Sequence, residues 1–181
     1  LEYGDPTGGP TAWRSADGTT WEQIYTEVGL NPYQRHGHAI APDPYAPGQV
    51  WMTLGDANAA REIMRSTDYG VTWSVIEANA AWQAVQISFS PNAVWFAGDS
   101  ARGHVFNWNR TDQRLRWTSA GLVRNRAVPG AATVTDTFYT NGWMGVVDPA
   151  TEEFYFSLQS DGAGGNTPGL WVVPFPGAAP V

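Results

Sequence analysis

The chain has 181 residues, a formal net charge of −7 and no cysteine. An acidic surface argues against nucleic acid or an anionic membrane as the main partner, because phosphate binding requires a basic surface. The lack of cysteine excludes disulfides and thiolate chemistry, and no apolar run approaches the roughly eighteen residues of a membrane helix, so no membrane insertion is expected. No signal peptide is recognisable, and Leu1 reads as a position inside a longer polypeptide.

Glycine, proline and aromatic residues dominate the composition. The chain has 20 Gly, 13 Pro and ten Trp, and 13% of its residues are aromatic. Frequent turn residues between short, alternating apolar runs are typical of short strands. The sequence therefore predicts an all-β fold, with roughly thirteen strands along the chain.

In chain order, the first strands are predicted at 12–15 and 21–25, around the turn Ser15-Ala16-Asp17-Gly18-Thr19-Thr20-Trp21. A fuller version of this turn, Ser66-Thr67-Asp68-Tyr69-Gly70-Val71-Thr72-Trp73, lies further along. Asp68 suits a turn because its carboxylate can accept hydrogen bonds from backbone N–H groups one or two residues on. Gly70 can supply the positive φ that a hairpin turn needs.

A four-strand unit repeats along the chain. Its first copy has predicted strands at 37–41, 50–54, 62–65 and 73–76. Its second copy has predicted strands at 84–88, 94–97 and 104–108, followed by the turn at 111–117. A third, looser copy has predicted strands at 145–149, 153–157 and 169–173, without a clear fourth strand. Trp51 and Trp95 are 44 residues apart, as are Trp73 and Trp117, and this period is typical of a β-propeller blade.

The octet at 66–73 resembles the Asp-box, or bacterial neuraminidase repeat, of sialidase-like β-propellers. The turn at 15–21 is a near copy, and the turn at 111–117 keeps the Asp-to-Trp spacing without the glycine. The resemblance implies a structural role for these residues: Ser15, Asp17, Gly18, Trp21, Ser66, Asp68, Gly70, Thr72, Trp73, Asp112 and Trp117. The Trp residues at repeat positions are expected to pack between blades: Trp21, Trp51, Trp73, Trp95 and Trp117.

The implied architecture is a β-propeller of four-stranded antiparallel blades. It comprises a half blade at 12–25, blades at 37–77 and 82–123, and an incomplete blade at 143–175 with an insertion at 118–142. A closed propeller has at least about four blades. The chain is therefore expected to form part of a six- or seven-bladed propeller; the alternative is a further set of strands that the pattern does not show.

Blade geometry separates the loops by side. In a four-strand meander the Asp-box turns share one side with the loop between strands one and two, and the remaining loops lie on the other. Sialidase-like propellers hold their ligand on that other side, which collects these candidate ligand-binding residues: Arg35, His36, His38, Asp56, Arg61, Trp82, Asp99, Arg102 and His104. Asp56, Asp99 and His38 are also the catalytic candidates.

These candidates have alternative interpretations. His36 and His38 project the same way in a strand, so they could converge with Asp56 on a metal or transfer protons, or only hydrogen-bond loop backbone. Asp56 and Asp99 each follow a glycine and could instead tie a turn. Trp82 and Trp143 lie outside the repeat and could stack on sugar rings. No cofactor is implied apart from that metal alternative.

The resemblance implies two functions. The favoured one is a glycan- or cell-surface-binding module of an extracellular or phage tail (fibre or minor tail) protein. Its partner would be a glycan or cell-surface polysaccharide, and a homo-oligomer or other tail proteins are compatible with it. The alternative is a sialidase-like glycoside hydrolase or polysaccharide lyase acting on an acidic or neutral glycan. The Arg-Ile-Pro motif of sialidases is absent and no Tyr–Glu pair can be assigned by motif, so enzyme activity is the less favoured hypothesis.

Overall fold

The computed structural model describes residues 1, 9–26, 37–55, 62–79, 82–98, 105–117, 124–125, 145–158 and 169–173. These residues form fourteen strands in antiparallel sheets and contain no α-helix, so the predicted all-β class is confirmed. The chain divides into two compact units, Leu1–Ala84 and Val85–Val181. None of the described residues belongs to a helix long and apolar enough to span a membrane.

The N-terminal unit contains a two-stranded and a four-stranded sheet. The first consists of β1 (Thr11–Arg14) and β2 (Glu22–Thr26). The second has the order β3-β4-β5-β6. Its strands are β3 (Gly37–Pro42), β4 (Val50–Leu54), β5 (Glu62–Ser66) and β6 (Ser74–Glu77). Every neighbour in both sheets is the next strand along the chain, so each sheet is a simple meander.

Alternation along β4 separates the two faces of the four-stranded sheet. Met52 and Leu54 project to one face and, with Met64 of β5, pack on Ala12 of the two-stranded sheet. Five partly buried side chains complete this apolar cluster: Leu1, Ile24, Tyr25, Ile40 and Trp73. The two sheets of this unit are therefore packed face to face through an apolar core.

The C-terminal unit contains two four-stranded sheets. One has the order β10-β9-β8-β7 and the other β11-β14-β13-β12. The strands of the first are β7 (Ala84–Phe89), β8 (Ala93–Gly98), β9 (Val105–Asn109) and β10 (Arg114–Trp117). The strands of the second are β11 (Arg124–Asn125), β12 (Gly145–Asp148), β13 (Glu153–Leu158) and β14 (Gly169–Val173).

The last sheet departs from the expected pattern. The sequence indicates no fourth strand after β14, but β11 pairs with β14 and takes the fourth position. This strand comes from within the predicted insertion, before rather than after the other three strands. A strand of two residues is too short to show alternation. The repeat also predicts the fourth strand after β14, whereas β11 precedes β12. The other predicted strands are confirmed to within one residue at either end. The turn predicted at 111–117 is wrong over its second half, because residues Arg114–Trp117 form β10 and pair with β9.

Stacked aromatic rings join the two sheets of the C-terminal unit. The ring centroids of Trp95 and Phe154 lie 5.6 Å apart in a stacked arrangement, and both side chains are fully buried. Between the first strands of the two sheets, Ser88 Oγ donates to Gly145 O at 3.1 Å. Asn92 Nδ2 donates to Glu152 Oε1 at 2.7 Å, which joins the two turns that follow those strands. Equivalent strands therefore face each other across this interface.

The repeat-position tryptophans do not all pack as expected. Trp51 and Trp95 are fully buried, which confirms their predicted place in the core. Trp73 is half-buried and belongs to the apolar cluster. Trp21 is 58% exposed, so its predicted core position is wrong. Trp73 packs against β2 of the neighbouring sheet, whereas the described part of the N-terminal unit supplies no further sheet for Trp21. The side chain of Trp117 lies outside the description.

Candidate functional site

The antiparallel meanders bring two kinds of loop to opposite ends of each sheet. In the N-terminal unit one end carries the turns at 43–49 and 66–73. The other end is formed by the start of β3, the end of β4, the start of β5 and the end of β6. We call these the turn end and the rim. His38 lies at the start of β3 and therefore belongs to the rim.

Two of the predicted ligand-binding residues, His38 and Trp82, lie within the described residues. The others lie outside them: Arg35, His36, Asp56, Arg61, Asp99, Arg102 and His104. Trp143 is outside as well, and so are two of the three residues of the metal alternative. Among the residues that the structure describes, no three His, Asp or Glu side chains are grouped so that they could hold a metal ion.

His38 makes a long-range contact at the rim. Its Nδ1 lies 2.9 Å from the carbonyl oxygen of Ala84. A carbonyl oxygen can only accept, so Nδ1 carries the proton of this hydrogen bond, and a neutral ring then has its lone pair on Nε2. His38 therefore hydrogen-bonds backbone, as one of the hypotheses expects, but its acceptor is the first residue of β7 and not a loop residue. This hydrogen bond fixes the ring orientation and ties the start of β3 to the segment that carries Trp82.

Trp82 lies in a short turn beside that contact. Its N–H donates to the carbonyl of Asn79 at 2.9 Å, and its side chain is half-buried. The next residue, Gln83, is 2% exposed. A buried neighbour on one side and a turn hydrogen bond on the other restrict the Trp82 backbone. The structure therefore brings His38 and the Trp82 segment together at the rim.

At the turn end, Asp68 organises the octet at 66–73. Its Oδ1 accepts from Ser66 Oγ at 2.7 Å and from the Thr72 N–H at 2.8 Å. Its Oδ2 accepts from Thr72 Oγ1 at 2.6 Å. Ser66 Oγ in turn accepts from the Gly70 N–H at 2.7 Å. The backbone donor that Asp68 binds is four residues on, further than the one or two expected, because the turn folds back around the carboxylate.

The turn at 15–21 has the same design in a shorter form. Asp17 Oδ1 accepts from the N–H groups of Thr19 and Thr20, both at 2.7 Å. Its Oδ2 accepts from Thr20 Oγ1 at 3.0 Å, and Ser15 Oγ accepts from the Gly18 N–H at 2.7 Å. Here the backbone donors lie two and three residues on. The missing residue between Asp and Trp accounts for the shorter reach.

These hydrogen bonds stabilise the ionised carboxylates. The two bonds from Thr72, side chain first and then backbone, and the bond from Ser66 lower the pKa of Asp68 to about 2. The backbone N–H groups of Thr20 and Thr19 hold the pKa of Asp17 well below its usual range. Both carboxylates therefore remain charged throughout the physiological pH range.

The third turn, at 111–117, is built differently. Asn109 Oδ1 accepts from the N–H groups of Thr111 and Asp112, at 2.9 and 3.3 Å. Asp112 itself pairs through Oδ2 with Arg116 Nη2. Asn109, which the sequence analysis did not single out, thus takes the part that Asp17 and Asp68 play in the other two turns. The lost glycine was the available signal that this turn had changed.

A second family of turns is also held by side chains that the sequence pattern did not identify. The loops between β3 and β4, between β7 and β8, and between β12 and β13 each begin with Asp-Pro or Ser-Pro. Asp43 Oδ1 accepts from the Tyr45 N–H at 3.0 Å, Ser90 Oγ from the Ala93 N–H at 3.1 Å, and Asp148 Oδ1 from the Ala150 N–H at 2.9 Å. The shared dipeptide at repeat positions could have identified these side chains.

Comparison of the chain with protein-family models and with curated proteins found no match.

Proposed function

We propose that the protein is a glycan- or cell-surface-binding module built as part of a sialidase-like β-propeller. Three features support the propeller. The first two are four-stranded meanders that recur along the chain and sheets that pack face to face within each unit. The Ser-x-Asp turns, which resemble Asp-boxes, supply the third. In such a propeller the rim carries the ligand.

The observation that carries the binding proposal is the anchored Trp82 segment. A half-buried Trp held by a turn hydrogen bond and adjoining the His38–Ala84 contact presents an indole whose backbone is already fixed. Aromatic rings offer large contact area at low conformational cost and stack on the apolar faces of sugars. An indole on a restrained backbone therefore suits a rim that recognises a flat, hydroxyl-rich ligand.

The contact of His38 supports the binding proposal. Its Nδ1 proton is used on a backbone carbonyl, which orients the ring and joins two segments of the rim. This is a positioning function, and it needs no proton transfer to a substrate. His38 thereby supports the geometry of Trp82 in the proposed site.

A glycan array tests this proposal. The protein should bind a defined set of glycans, and Trp82→Ala should weaken that binding at least tenfold. Trp13→Ala is the matched control, because Trp13 is 40% exposed and lies on β1 of the two-stranded sheet, outside the rim; it should bind like the unaltered protein. An array without hits for the complete protein would defeat the proposal. Turnover of a chromogenic glycoside that is lost in His38→Ala, with binding retained, would favour the hydrolase instead.

A further inference from the structure

Three turns of the N-terminal unit are joined through the peptide of a single residue, Tyr69. Its N–H donates to Gly48 O of the turn at 43–49, at 2.8 Å. Its carbonyl accepts from Arg14 Nη1, and Arg14 also pairs through Nε with Glu22, next to the turn at 15–21. The backbone of Tyr69 is therefore held from both sides at the centre of the turn end.

The backbone conformation of Tyr69 is unfavourable for a residue with a bulky side chain. Its φ is 61°, in the left-handed region that disfavours a bulky side chain. The next residue of the same turn, Gly70, also has a positive φ, of 91°, which glycine adopts without strain. Burial of the Tyr69 ring in the core does not offset this strain, since the residue is 63% exposed. One edge of the ring lies beside Gly48 of the neighbouring turn, and most of the residue remains open to solvent.

Other exposed apolar side chains come from the same three turns. Tyr45 is 42% exposed, Trp21 58% and Val71 65%. Tyr45 lies in the turn that Tyr69 binds through Gly48, and Trp21 adjoins Glu22. Monomeric proteins normally scatter such side chains singly, and a group of them rimmed by polar atoms marks an interaction site. We call Trp21, Tyr45, Tyr69 and Val71 the aromatic patch.

Charge restricts what the aromatic patch can bind. Asp17, Glu22 and Asp68 lie in or beside the same turns. The carboxylates of Asp17 and Asp68 stay ionised because their hydrogen bonds lower both pKa values. Arg14 is engaged by Glu22 and the Tyr69 carbonyl. An acidic polysaccharide would therefore be repelled, whereas an uncharged ligand would not.

We propose that the aromatic patch is a second binding surface, specific for neutral glycans, with the Tyr69 ring at its centre. A pyranose presents an apolar face bordered by hydroxyl groups. Such a ligand fits aromatic rings set among polar turn atoms better than a partner protein with a continuous apolar surface would. This site lies at the opposite end of the sheet from the rim and does not depend on the function proposed there.

The variant Tyr69→Asn separates the contribution of the aromatic ring from that of the backbone conformation. Asn tolerates the left-handed region, so the turn is retained while the aromatic face is removed. The probes are neutral gluco-, manno- and galacto-hexasaccharides, with polygalacturonate as the acidic comparison, measured by calorimetry and by ligand-observed NMR. At least one neutral hexasaccharide should bind, and Tyr69→Asn should weaken it at least fivefold with an unchanged Tm. Val146→Ser removes an equally exposed apolar side chain, 64% exposed in the C-terminal unit, and should leave binding unchanged.

The outcomes separate this surface from the rim. Binding that survives Trp82→Ala but not Tyr69→Asn supports the aromatic patch, whatever the rim does. The proposal is overturned if no neutral hexasaccharide binds in a Tyr69-dependent way, or if polygalacturonate binds the patch as tightly. Self-association of the protein that is lost in Tyr69→Asn, without glycan binding, would show a protein-binding surface and would also overturn it.

Discussion

At the scale of single residues, one carboxylate orders each Ser-x-Asp turn. Asp68 accepts a backbone N–H and two hydroxyls, while Ser66 accepts a further backbone N–H from Gly70. A tight turn leaves several backbone donors without partners in the sheet, and each must find an acceptor. The short Ser and Asp side chains supply these acceptors, and the turn needs no large buried apolar side chain for this. This explains why the same pattern can recur in turns whose tryptophans differ in burial.

The lowered pKa of Asp68 predicts an acid-dependent stability. A group whose pKa is depressed in the folded state stabilises the protein above its ordinary value of 3.8, and that contribution is lost as the pH falls through about 2. The gap in Tm between the unaltered protein and Asp68→Asn should therefore be constant from pH 7 to about 5 and should shrink between about pH 4 and 2. Thermal unfolding followed by circular dichroism across this range measures the gap.

A second variant checks the cause of that dependence. Thr72→Val removes the hydroxyl that contributes most to the low pKa of Asp68. The pKa of the Asp68 carboxyl, followed by carbonyl NMR, should rise towards 3.8, and the acid-induced loss of stability should become smaller and end at a higher pH. A pKa that is the same in both proteins would contradict the assignment.

Asn107 offers the opposite case, a polar side chain whose burial is not compensated. The residue is 1% exposed, and neither atom of its amide has a hydrogen-bond partner in the described structure. Burying such a group costs about 1–3 kcal/mol, so Asn107→Leu, which keeps the size and shape, should raise the free energy of unfolding by up to about that amount. Urea denaturation measures the change.

Asn109, two residues along the same strand, is the matched control for Asn107. Its amide oxygen accepts two backbone N–H groups in the turn at 111–117. Asn109→Leu should therefore lower the free energy of unfolding by about 1–2 kcal/mol. If both variants were destabilising to the same extent, the amide of Asn107 would have a stabilising role that its surroundings do not explain.

At the scale of elements, the two Ser-x-Asp turns differ in what their final tryptophan contacts. Trp73 Nε1 donates to Ile24 O and to Gly70 O, both at 3.0 Å. Its ring meets Tyr25 edge-on, with centroids 6.0 Å apart. Trp73 therefore joins the turn to the neighbouring sheet, whereas Trp21 at the equivalent position is mostly exposed.

This difference predicts unequal effects of the same substitution. Trp73→Ala should lower the free energy of unfolding by about 2–4 kcal/mol, because it removes half-buried aromatic area and two hydrogen bonds to carbonyls. Trp21→Ala should change it by no more than about 0.5 kcal/mol, as is usual for exposed positions. Chemical denaturation of the two variants measures both. Equal losses would mean that the turn itself, rather than its contact with β2, requires the tryptophan.

The strands and the two principal turns could be predicted from the sequence because their signals are local. Alternation marks each strand, and the Ser-x-Asp spacing marks each turn. The role of Asn109, which accepts the turn hydrogen bonds in place of an aspartate, could not be predicted in the same way. Asn109 precedes residues 111–117, the stretch that the motif covers. The exposure of Trp21 was equally hidden, because burial depends on whether a neighbouring sheet exists and not on the motif.

At the scale of the molecule, the meander pattern predicts which residues share an end of a sheet, but not what they touch. It places His38 and Trp82 on the rim side, and both lie there. The hydrogen bond from His38 to Ala84 spans 46 positions of sequence and has no local signature. The junction at Tyr69 depends on three separate turns for the same reason. Long-range hydrogen bonds of this kind require the packed structure.

The pairing of β11 with β14 has a consequence for how the chain acquires its structure. The three other sheets pair strands that follow one another, so each can complete as soon as its own segment is available. The last sheet must keep β11 unpaired until β14 arrives, and closing so long a loop carries an entropic cost that local hairpins avoid. During synthesis at the ribosome, Arg124 and Asn125 therefore cannot pair until β14 has been made, although they are made before β12, β13 and β14.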